Sequence, residues 1–236
     1  MSISVIRGNI FTTKCQVLVN TINCVGVMGA GLALEFRLRY PEMHEKYVSL
    51  CSTGKIDIGV LWLYKAQDRW ILNFPTKKHW RHPSKISYLE AGLEKFVASY
   101  KERGIASIAF PLLGADKGKL PPEQSLDVMK RCLEGVDIPV EIYQHDRSAS
   151  DDIYDRARIW VLSQSPEVIA QQSGIGAVQL GKLLDAVRST QFTQLNQLAQ
   201  VDGVGPATLE RLFRAVVRVQ RDQVGEDATG SQRALF

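Results

Sequence analysis

The sequence has no long apolar run and no closely spaced cysteines, and each lack excludes a class of protein. No apolar stretch approaches the roughly 18 residues that cross a bilayer, and the opening MSISVIRGNIF has neither the apolar core nor the cleavage site of a signal peptide. The four cysteines, Cys15, Cys24, Cys51 and Cys132, show no CxxC spacing. Scattered single cysteines are typical of a reducing compartment. We therefore expect a cytoplasmic protein with no membrane partner.

Metal-ligand patterns are lacking too. His79 and His82 form an HxxH pair, but no acidic or cysteine partner accompanies them, so we expect no metal site and no other cofactor. Charge of one sign is in slight excess: the net charge is +4, because residues 1–146 hold 19 basic and 15 acidic residues while the remainder holds 10 of each. This mild positive charge is compatible with a nucleic-acid partner but does not require one.

The pattern of the chain changes near residue 147. Before it, segments typical of strands and helices alternate, which predicts an α/β domain over residues 1–146. RSASDD, residues 147–152, is small and polar and is interpreted as a linker. We expect residues 153–222 to form a small all-α domain and residues 223–236 to be a disordered tail.

The predicted helical domain contains an internal repeat. IAQQSGIGAVQLGKLLDAV, from Ile169, and LAQVDGVGPATLERLFRAV, from Leu198, are identical at eight of 19 aligned positions. Each copy predicts a helix, a Gly-apolar-Gly turn and a second helix, which resembles the helix-hairpin-helix motif. In that family the N–H groups of the turn hold a DNA phosphate, so Gly203, Gly205 and Arg211 of the second copy are predicted DNA contacts. The alternative is that the two hairpins only pack on each other.

Two loops of the first domain lead from a strand to a helix through small residues. VNTINCVGVMGAGLALEF begins with two asparagines and continues into a Gly-Ala-Gly turn, and FPLLGADKGKLPPEQ contains two glycines. Small residues let backbone N–H groups approach a phosphate, and a helix N-terminus favours its negative charge. Asparagine offers a donor and an acceptor to sugar hydroxyls. The loops therefore predict a site for a phosphorylated ligand, although plain flexible connections are the alternative.

A third loop, NFPTKKHWR at residues 73–81, follows a buried strand. With the other loops, in the order VIRGNIF, VNTINCVGVMGAGLALEF, NFPTKKHWR and PLLGADKGKL, it resembles a macrodomain over about residues 1–146. The resemblance is strongest to the DarG family of DNA ADP-ribosyl glycohydrolases, antitoxins to DarT toxins and relatives of the TARG-type hydrolases. It implies a three-layer α/β/α macrodomain with a central mixed sheet, here followed by the helix-hairpin-helix-like all-α domain.

The resemblance also implies which residues bind ADP-ribose. Asn9 would meet the adenine and Asn23 the distal ribose, while Tyr143 either packs on adenine or belongs to the core. His79 and Trp80 either contact the modified base or cover the core edge. The whole implied set for ADP-ribose is Asn9, Ile10, Asn20, Thr21, Ile22, Asn23, Gly29, Ala30, Gly31, Leu32, Thr76, Leu113, Gly114, Ala115, Asp116, Lys117, Gly118 and Tyr143.

Lys77 matches the catalytic lysine of the TARG and DarG group. A neutral lysine can attack the anomeric carbon C1″ of the ADP-ribose, and a charged one can stabilise the departing base; the sequence leaves both roles open. Two positions depart from related families. Asn9 stands where many macrodomains have an acidic residue, and Gly118 stands where TARG-type hydrolases have an aspartate, so Asp116 is only a weak catalytic substitute.

The sequence thus predicts a DNA ADP-ribosyl glycohydrolase that removes ADP-ribose from thymidine bases of single-stranded DNA. Its partners would be ADP-ribosylated DNA, the product ADP-ribose and a cognate DarT-type toxin, with the C-terminal domain holding either DNA or the toxin. The alternative function is a macrodomain that reads ADP-ribose without catalysis and is fused to a DNA-binding module. Lys77 favours the enzyme, since a pure reader needs no lysine at the anomeric carbon.

Overall fold

The computed structural model describes residues 3–217 and divides the chain into two compact units, residues 1–149 and 150–236. The predicted tail at 223–236 and the last residues of the predicted helical domain, 218–222, lie outside the described residues. Among the helices of residues 3–217, none is both long and apolar enough to cross a bilayer.

The first unit is built on a six-stranded sheet in the order β1-β6-β5-β2-β4-β3. All neighbouring pairs are parallel except β3 and β4, which are antiparallel. The mixed sheet that the family resemblance implies is therefore confirmed. The strands are β1 (Ile3–Gly8), β2 (Val17–Asn23), β3 (Trp62–Lys65), β4 (Trp70–Lys77), β5 (Ile108–Pro111) and β6 (Val140–His145).

Helices cover both faces of this sheet. Alternate residues of β2 point to opposite faces, so Val17 and Val19 join one apolar cluster and Leu18 and Ile22 join the other. Burial on both faces explains why the strand reads as a nearly continuous apolar run. The first cluster includes residues of α3 (Ile86–Ser99) and α4 (Pro122–Leu133), and the second includes residues of α1 (Gly31–Arg39) and α2 (Pro41–Ser52).

Proline and glycine define two features of these layers. Pro41 is the first residue of α2, where its missing N–H costs nothing. It divides the helical segment GLALEFRLRYPEMHEKYVSL into α1 and α2. Gly92 of α3 lies directly on the ring of Phe74 in β4, and a Cβ at this position would overlap the ring. The close approach draws α3 onto the strand that ends at Lys77.

The described part of the second unit consists of helices and turns. Asp151 is fully buried, its side chain accepts from the N–H groups of Ile153 and Leu195, and it caps α5 (Asp152–Ser163). The last two residues of the predicted linker therefore belong to this unit. After α5 come α6 (Pro166–Ser173), α7 (Ala177–Arg188), a 3-10 helix (Leu195–Gln200) and helical residues 206–217.

Candidate active site

The carboxyl ends of the parallel strands lie at one edge of the sheet, because strands that run in the same direction also end on the same side. Gly8 ends β1, His145 ends β6, Pro111 ends β5, Asn23 ends β2 and Lys77 ends β4. All three loops singled out in the sequence leave the sheet at this edge. Ligands of open α/β sheets bind outside the carboxyl ends of the strands.

The first glycine loop ends at an uncovered helix N-terminus. Helix α1 begins at Gly31, which has a φ of 56°, a backbone conformation that favours glycine. Ala30 is the N-cap residue and has no side chain to bond the N–H groups of the first turn. Gly29 and Ala30 are exposed and Leu32 is half-buried. These free N–H groups and the helix dipole make this turn suitable for a phosphate.

The strand before this loop does not offer all its predicted contacts. Asn20 has no exposed surface, and its Nδ2 donates to Oδ1 of Asn73 in β4 over 2.9 Å. Ile22 is also buried, in the core between the sheet and α1 and α2, and Thr21 is half-buried. Neither the Asn20 nor the Ile22 side chain reaches the surface, so their contact with ADP-ribose stays a prediction that would have to involve the backbone.

The second glycine loop, residues 112–120, is held against the loop that follows β4. The N–H of Ser84 donates to the carbonyl oxygen of Gly118 over 2.9 Å. A Cβ at position 118 would overlap the carbonyl group of Gly114 and approach Oγ of Ser84. Position 118 therefore has no room for a side chain in this arrangement of the loop.

Lys77 points at this second loop. Its Nζ donates to the carbonyl oxygen of Lys117, and its side chain is half-buried. Burial and the charge of Lys119 lower the pKa of Lys77 below its usual value, with a smaller contribution from Lys117, while Asp116 opposes the shift. Lys119 has a φ of 61°, a conformation that non-glycine residues rarely adopt. Lys77 therefore deprotonates more readily than an exposed lysine.

The two glycine loops approach each other closely. Oδ2 of Asp116 and Cγ of Lys117 lie 3.6 Å and 3.8 Å from where a Cβ of Gly31 would stand. The second loop is also bonded to α4, since Oγ of Ser125 in that helix donates to the carbonyl oxygen of Leu113 over 2.6 Å. A diphosphate at the start of α1 would thus have residues 115–117 on its other side.

At the end of the edge formed by β1 and β6, most of the residues predicted to contact adenine bond to or pack against other parts of the protein. Oδ1 of Asn9 accepts from the N–H of Phe11 over 3.1 Å and caps a short 3-10 helix. Ile10 and Tyr143 are buried in the apolar cluster next to α1 and α2. The exposed residue at this end of the edge is His145, which the sequence did not single out. Partial desolvation of its imidazole ring lowers the pKa of His145. Its place at the last position of β6 is the signal that would have identified it.

The basic aromatic loop after β4 is partly exposed. The rings of His79 and Trp80 stack with centroids 5.6 Å apart, and the guanidinium of Arg81 lies 4.7 Å from the Trp80 ring. Trp80 is 47% exposed, so its ring is not a cover buried in the core. Lys78 pairs with Asp57 at 3.3 Å. Thr76, by contrast, is buried within β4.

In the second unit, each repeat extends a basic side chain to the turn of the other. Nζ of Lys182 lies 3.0 Å from Oδ2 of Asp202, beside Gly203. Nη1 of Arg211 donates over 3.0 Å to the carbonyl oxygen of Gly174. Positions 182 and 211 are equivalent in the 29-residue repeat, so the two contacts are symmetric. One N–H group of Arg211, predicted to contact DNA, is thus used within the unit.

Two further features bear on the site: possible metal ligands and a surface depression. Within residues 3–217, no group of three or more His, Cys, Asp or Glu side chains is arranged to hold a metal ion. A shallow depression of about 260 Å³ lies between Lys14–Gln16 and Ala66–Trp70, at the amino ends of β2 and β4. It is at the opposite edge of the sheet from Lys77 and does not contribute to the candidate site.

Comparison with known proteins identifies relatives of the first unit. The family model described as Macro domain matches residues 19–129. A curated "DNA ADP-ribosyl glycohydrolase" of Thermus aquaticus is 46% identical over 147 residues, which are 58% of this chain and 41% of the relative. A "DNA ADP-ribosyl transferase-DNA ADP-ribosyl glycohydrolase fusion protein" of Thermosipho africanus is 33% identical over 161 residues, 60% of this chain and 42% of the relative.

Solved structures give the same result. The macrodomain of Thermus aquaticus DarG is similar with a TM-score of 0.58 and 41% identity, covering 61% of this chain and 98% of that one. Thermosipho africanus DarTG in complex with ADP-ribose is similar with a TM-score of 0.56 and 34% identity, covering 61% of this chain and 42% of that one. The chain spans about two fifths of the length of the two curated relatives it matches.

The packing of the second loop leads to a prediction for Gly118→Ala. The added Cβ would overlap Gly114 and displace the loop, so we expect a loss of about 1–3 kcal/mol in the free energy of unfolding, as for other overpacked sites. Denaturant unfolding measures this change. Gly135→Ala is the control, because nothing lies within 4 Å of a Cβ there. Equal stability of the two variants would show that the loops are not packed in this way.

Proposed function

Because this chain belongs to the macrodomain family, in its DarG branch, we propose that it is a DNA ADP-ribosyl glycohydrolase. It removes ADP-ribose from thymidine bases of single-stranded DNA in the bacterial cytoplasm and so acts as the antitoxin to a DNA ADP-ribosyltransferase toxin. The observation that carries this proposal is the position of Lys77 beside two glycine loops at the carboxyl edge of the sheet.

The order of the loops along the edge fits the parts of ADP-ribose. The ends of β1 and β6 would take the adenine, the loops after β5 and β2 the diphosphate and distal ribose, and β4 ends at Lys77 next to them. The relatives support ADP-ribose as the ligand: one is named a DNA ADP-ribosyl glycohydrolase, and one solved relative is in complex with ADP-ribose. The fusion of transferase and glycohydrolase in another relative supports a DarT-type partner.

The reaction is proposed to begin with the neutral amine of Lys77. Its Nζ forms a bond to C1″ while the bond from C1″ to the thymine nitrogen breaks, and the proton that Nζ loses on forming this bond passes to the departing base. Water then cleaves the new bond from C1″ to Nζ, which releases ADP-ribose and restores the amine. The lowered pKa of Lys77 favours this role over that of a permanent cation. Since position 118 has no carboxylate, the chain's reaction does not depend on one there.

Single-stranded DNA is proposed to cross the basic aromatic loop. Trp80 and His79 are ring surfaces next to Lys77 in sequence, and bases stack on such rings without sequence preference. Arg81 and Lys78 add positive charge that a phosphate backbone would meet. A single strand fits this arrangement better than a duplex, because the modified base must leave any stack to bring C1″ to Lys77.

The second unit is proposed to hold the DNA through its second hairpin. Gly203 has a φ of 78°, and helical residues 206–217 follow the turn. The N–H groups that come directly after Gly205 therefore belong to the first turn of a helix, where a phosphate can bind. Such a contact is made to the phosphate and reads no sequence. Contact with the toxin is the competing role for this unit.

Lys77→Ala provides the main test of catalysis. We expect release of ADP-ribose from a thymidine-modified oligonucleotide to fall by about 10²–10⁴-fold, because the group that acts at C1″ is removed. Chromatography of the products measures the release. Lys101→Ala is the control, since that lysine is exposed and paired with Asp137, which precedes β6 at the other edge of the sheet, and it should retain activity.

The same assay separates the alternatives. An ADP-ribosylated protein serves as the second substrate, and the proposal requires release from DNA. If Lys77→Ala and the wild type both bind the modified oligonucleotide but neither releases ADP-ribose, the protein is a reader and the proposed activity is wrong.

Ala207→Glu tests the second hairpin. A carboxylate at the second residue of the helix would repel a phosphate, so we expect about tenfold weaker binding of an unmodified single-stranded oligonucleotide at low salt. The fold should persist, because a negative side chain at a helix N-terminus is favourable by about 0.3–1 kcal/mol. Fluorescence anisotropy measures the binding. Val178→Glu is the matched change in the first hairpin, at a residue 70% exposed, and should have little effect; equal binding by all three proteins would contradict a DNA-holding second hairpin.

A further inference from the structure

The side chain of Asn23 is held by the loop that follows it. Its Oδ1 accepts from the N–H groups of Val25 and Val27 over 3.0 Å and 3.4 Å, and its Nδ2 donates to the carbonyl oxygen of Val27 over 2.6 Å. Backbone N–H groups only donate and a carbonyl oxygen only accepts, so these partners fix which end of the amide is oxygen.

A buried tyrosine reaches the same amide from helix α2. The hydroxyl of Tyr47 lies 2.7 Å from the carbonyl oxygen of Asn23 and 3.1 Å from its Oδ1, and the residue has no exposed surface. Burial raises the pKa of Tyr47, so the hydroxyl keeps its proton and acts as a donor. The loop also rests on α2 at Gly26, where a Cβ would meet Val48 and Cys51 at 3.6–3.7 Å.

These bonds determine what Asn23 can offer to a ligand. An amide oxygen has two lone pairs, which the N–H groups of Val25 and Val27 occupy. The single proton of the Tyr47 hydroxyl lies nearest the backbone carbonyl oxygen of Asn23 and within reach of Oδ1. One of the two N–H groups on Nδ2 is used by Val27, and the other has no acceptor among the described residues. Asn23 stands opposite Lys77 in the register of β2 and β4. Towards the site, Asn23 therefore presents a donor and no acceptor.

We propose that Tyr47 is a positioning residue that fixes Asn23 as a hydrogen-bond donor to a hydroxyl oxygen of the ribose next to Lys77. The role rests on the proposed function, since it needs a ribose at that place. Without the Tyr47 hydroxyl, Asn23 loses its only bond to α2 among the described residues, and the amide is held by Val25 and Val27 of its own loop alone. The preference of the site for an acceptor atom on the ligand is then weaker.

Tyr47→Phe tests the proposal with ADP-ribose itself as the probe. We expect calorimetry to give about tenfold weaker binding of ADP-ribose, the loss of roughly one hydrogen bond. Tyr40→Phe is the control: this half-buried tyrosine also uses its hydroxyl, which lies 3.1 Å from Asp68 in the turn between β3 and β4, away from the site. Both variants should lose similar thermal stability, while only Tyr47→Phe should lose affinity and raise KM for the modified oligonucleotide with kcat little changed.

A double-mutant cycle separates positioning from general damage. If Tyr47 acts through Asn23, then Tyr47→Phe should weaken binding less than twofold in an Asn23→Ala background. The same loss in both backgrounds would overturn the proposal. Failure of the wild type to bind ADP-ribose would instead overturn the proposed function, whereas normal binding by Tyr47→Phe would overturn only the role of Tyr47.

A measurement on the wild type keeps the proposal testable if Tyr47→Phe does not fold. The side-chain NH₂ resonances of Asn23, assigned by their loss in Asn23→Ala, should shift when ADP-ribose is added. Unchanged resonances at saturation would show that Asn23 donates nothing to the ligand, and the proposal would be wrong.

Discussion

Five strands that run in parallel force their carboxyl ends, and the loops that follow, onto one edge of the sheet. Gly8, His145, Pro111, Asn23 and Lys77 lie at that edge for this reason, although as many as 137 residues of sequence separate them. The two apolar clusters on either face fix the sheet between its helices. The site depends on this placement, because none of the three loops contains both a glycine turn and the lysine.

Buried polar contacts then set the fine position of the loops. The amide pair Asn20 and Asn73 ties β2 to β4 a few residues before Asn23 and Lys77. The Tyr47 hydroxyl holds Asn23 from α2, and the N–H of Ser84 holds the second glycine loop at Gly118. A hydrogen bond between buried groups favours one arrangement, since breaking it leaves both groups without a partner. The glycines supply close approach, and these bonds supply orientation.

Much of this was predictable from the sequence, and what was not has a physical cause. The α/β class of the first unit follows from the alternation of strand-like and helix-like segments, and the mixed sheet follows from the family resemblance. The burial of Asn20 did not, since an asparagine next to a loop reads as a ligand contact until the partner strand supplies Asn73. Tyr47 and Ser84 were missed because their roles depend on contacts between distant segments. The ligand roles of Asn9, Tyr143 and the hairpin residues stay predictions.

The central claim is that Lys77 acts as a neutral amine made available by its surroundings. The single-turnover rate of ADP-ribose release from a thymidine-modified oligonucleotide, measured against pH, tests it most directly. Burial and nearby lysines lower the pKa of Lys77, so the account predicts a rate that rises with pH and levels off below 10.5, the ordinary value for lysine. A rate that falls as pH rises through this range would contradict the account, because it would mean that the charged form of Lys77 is the active one.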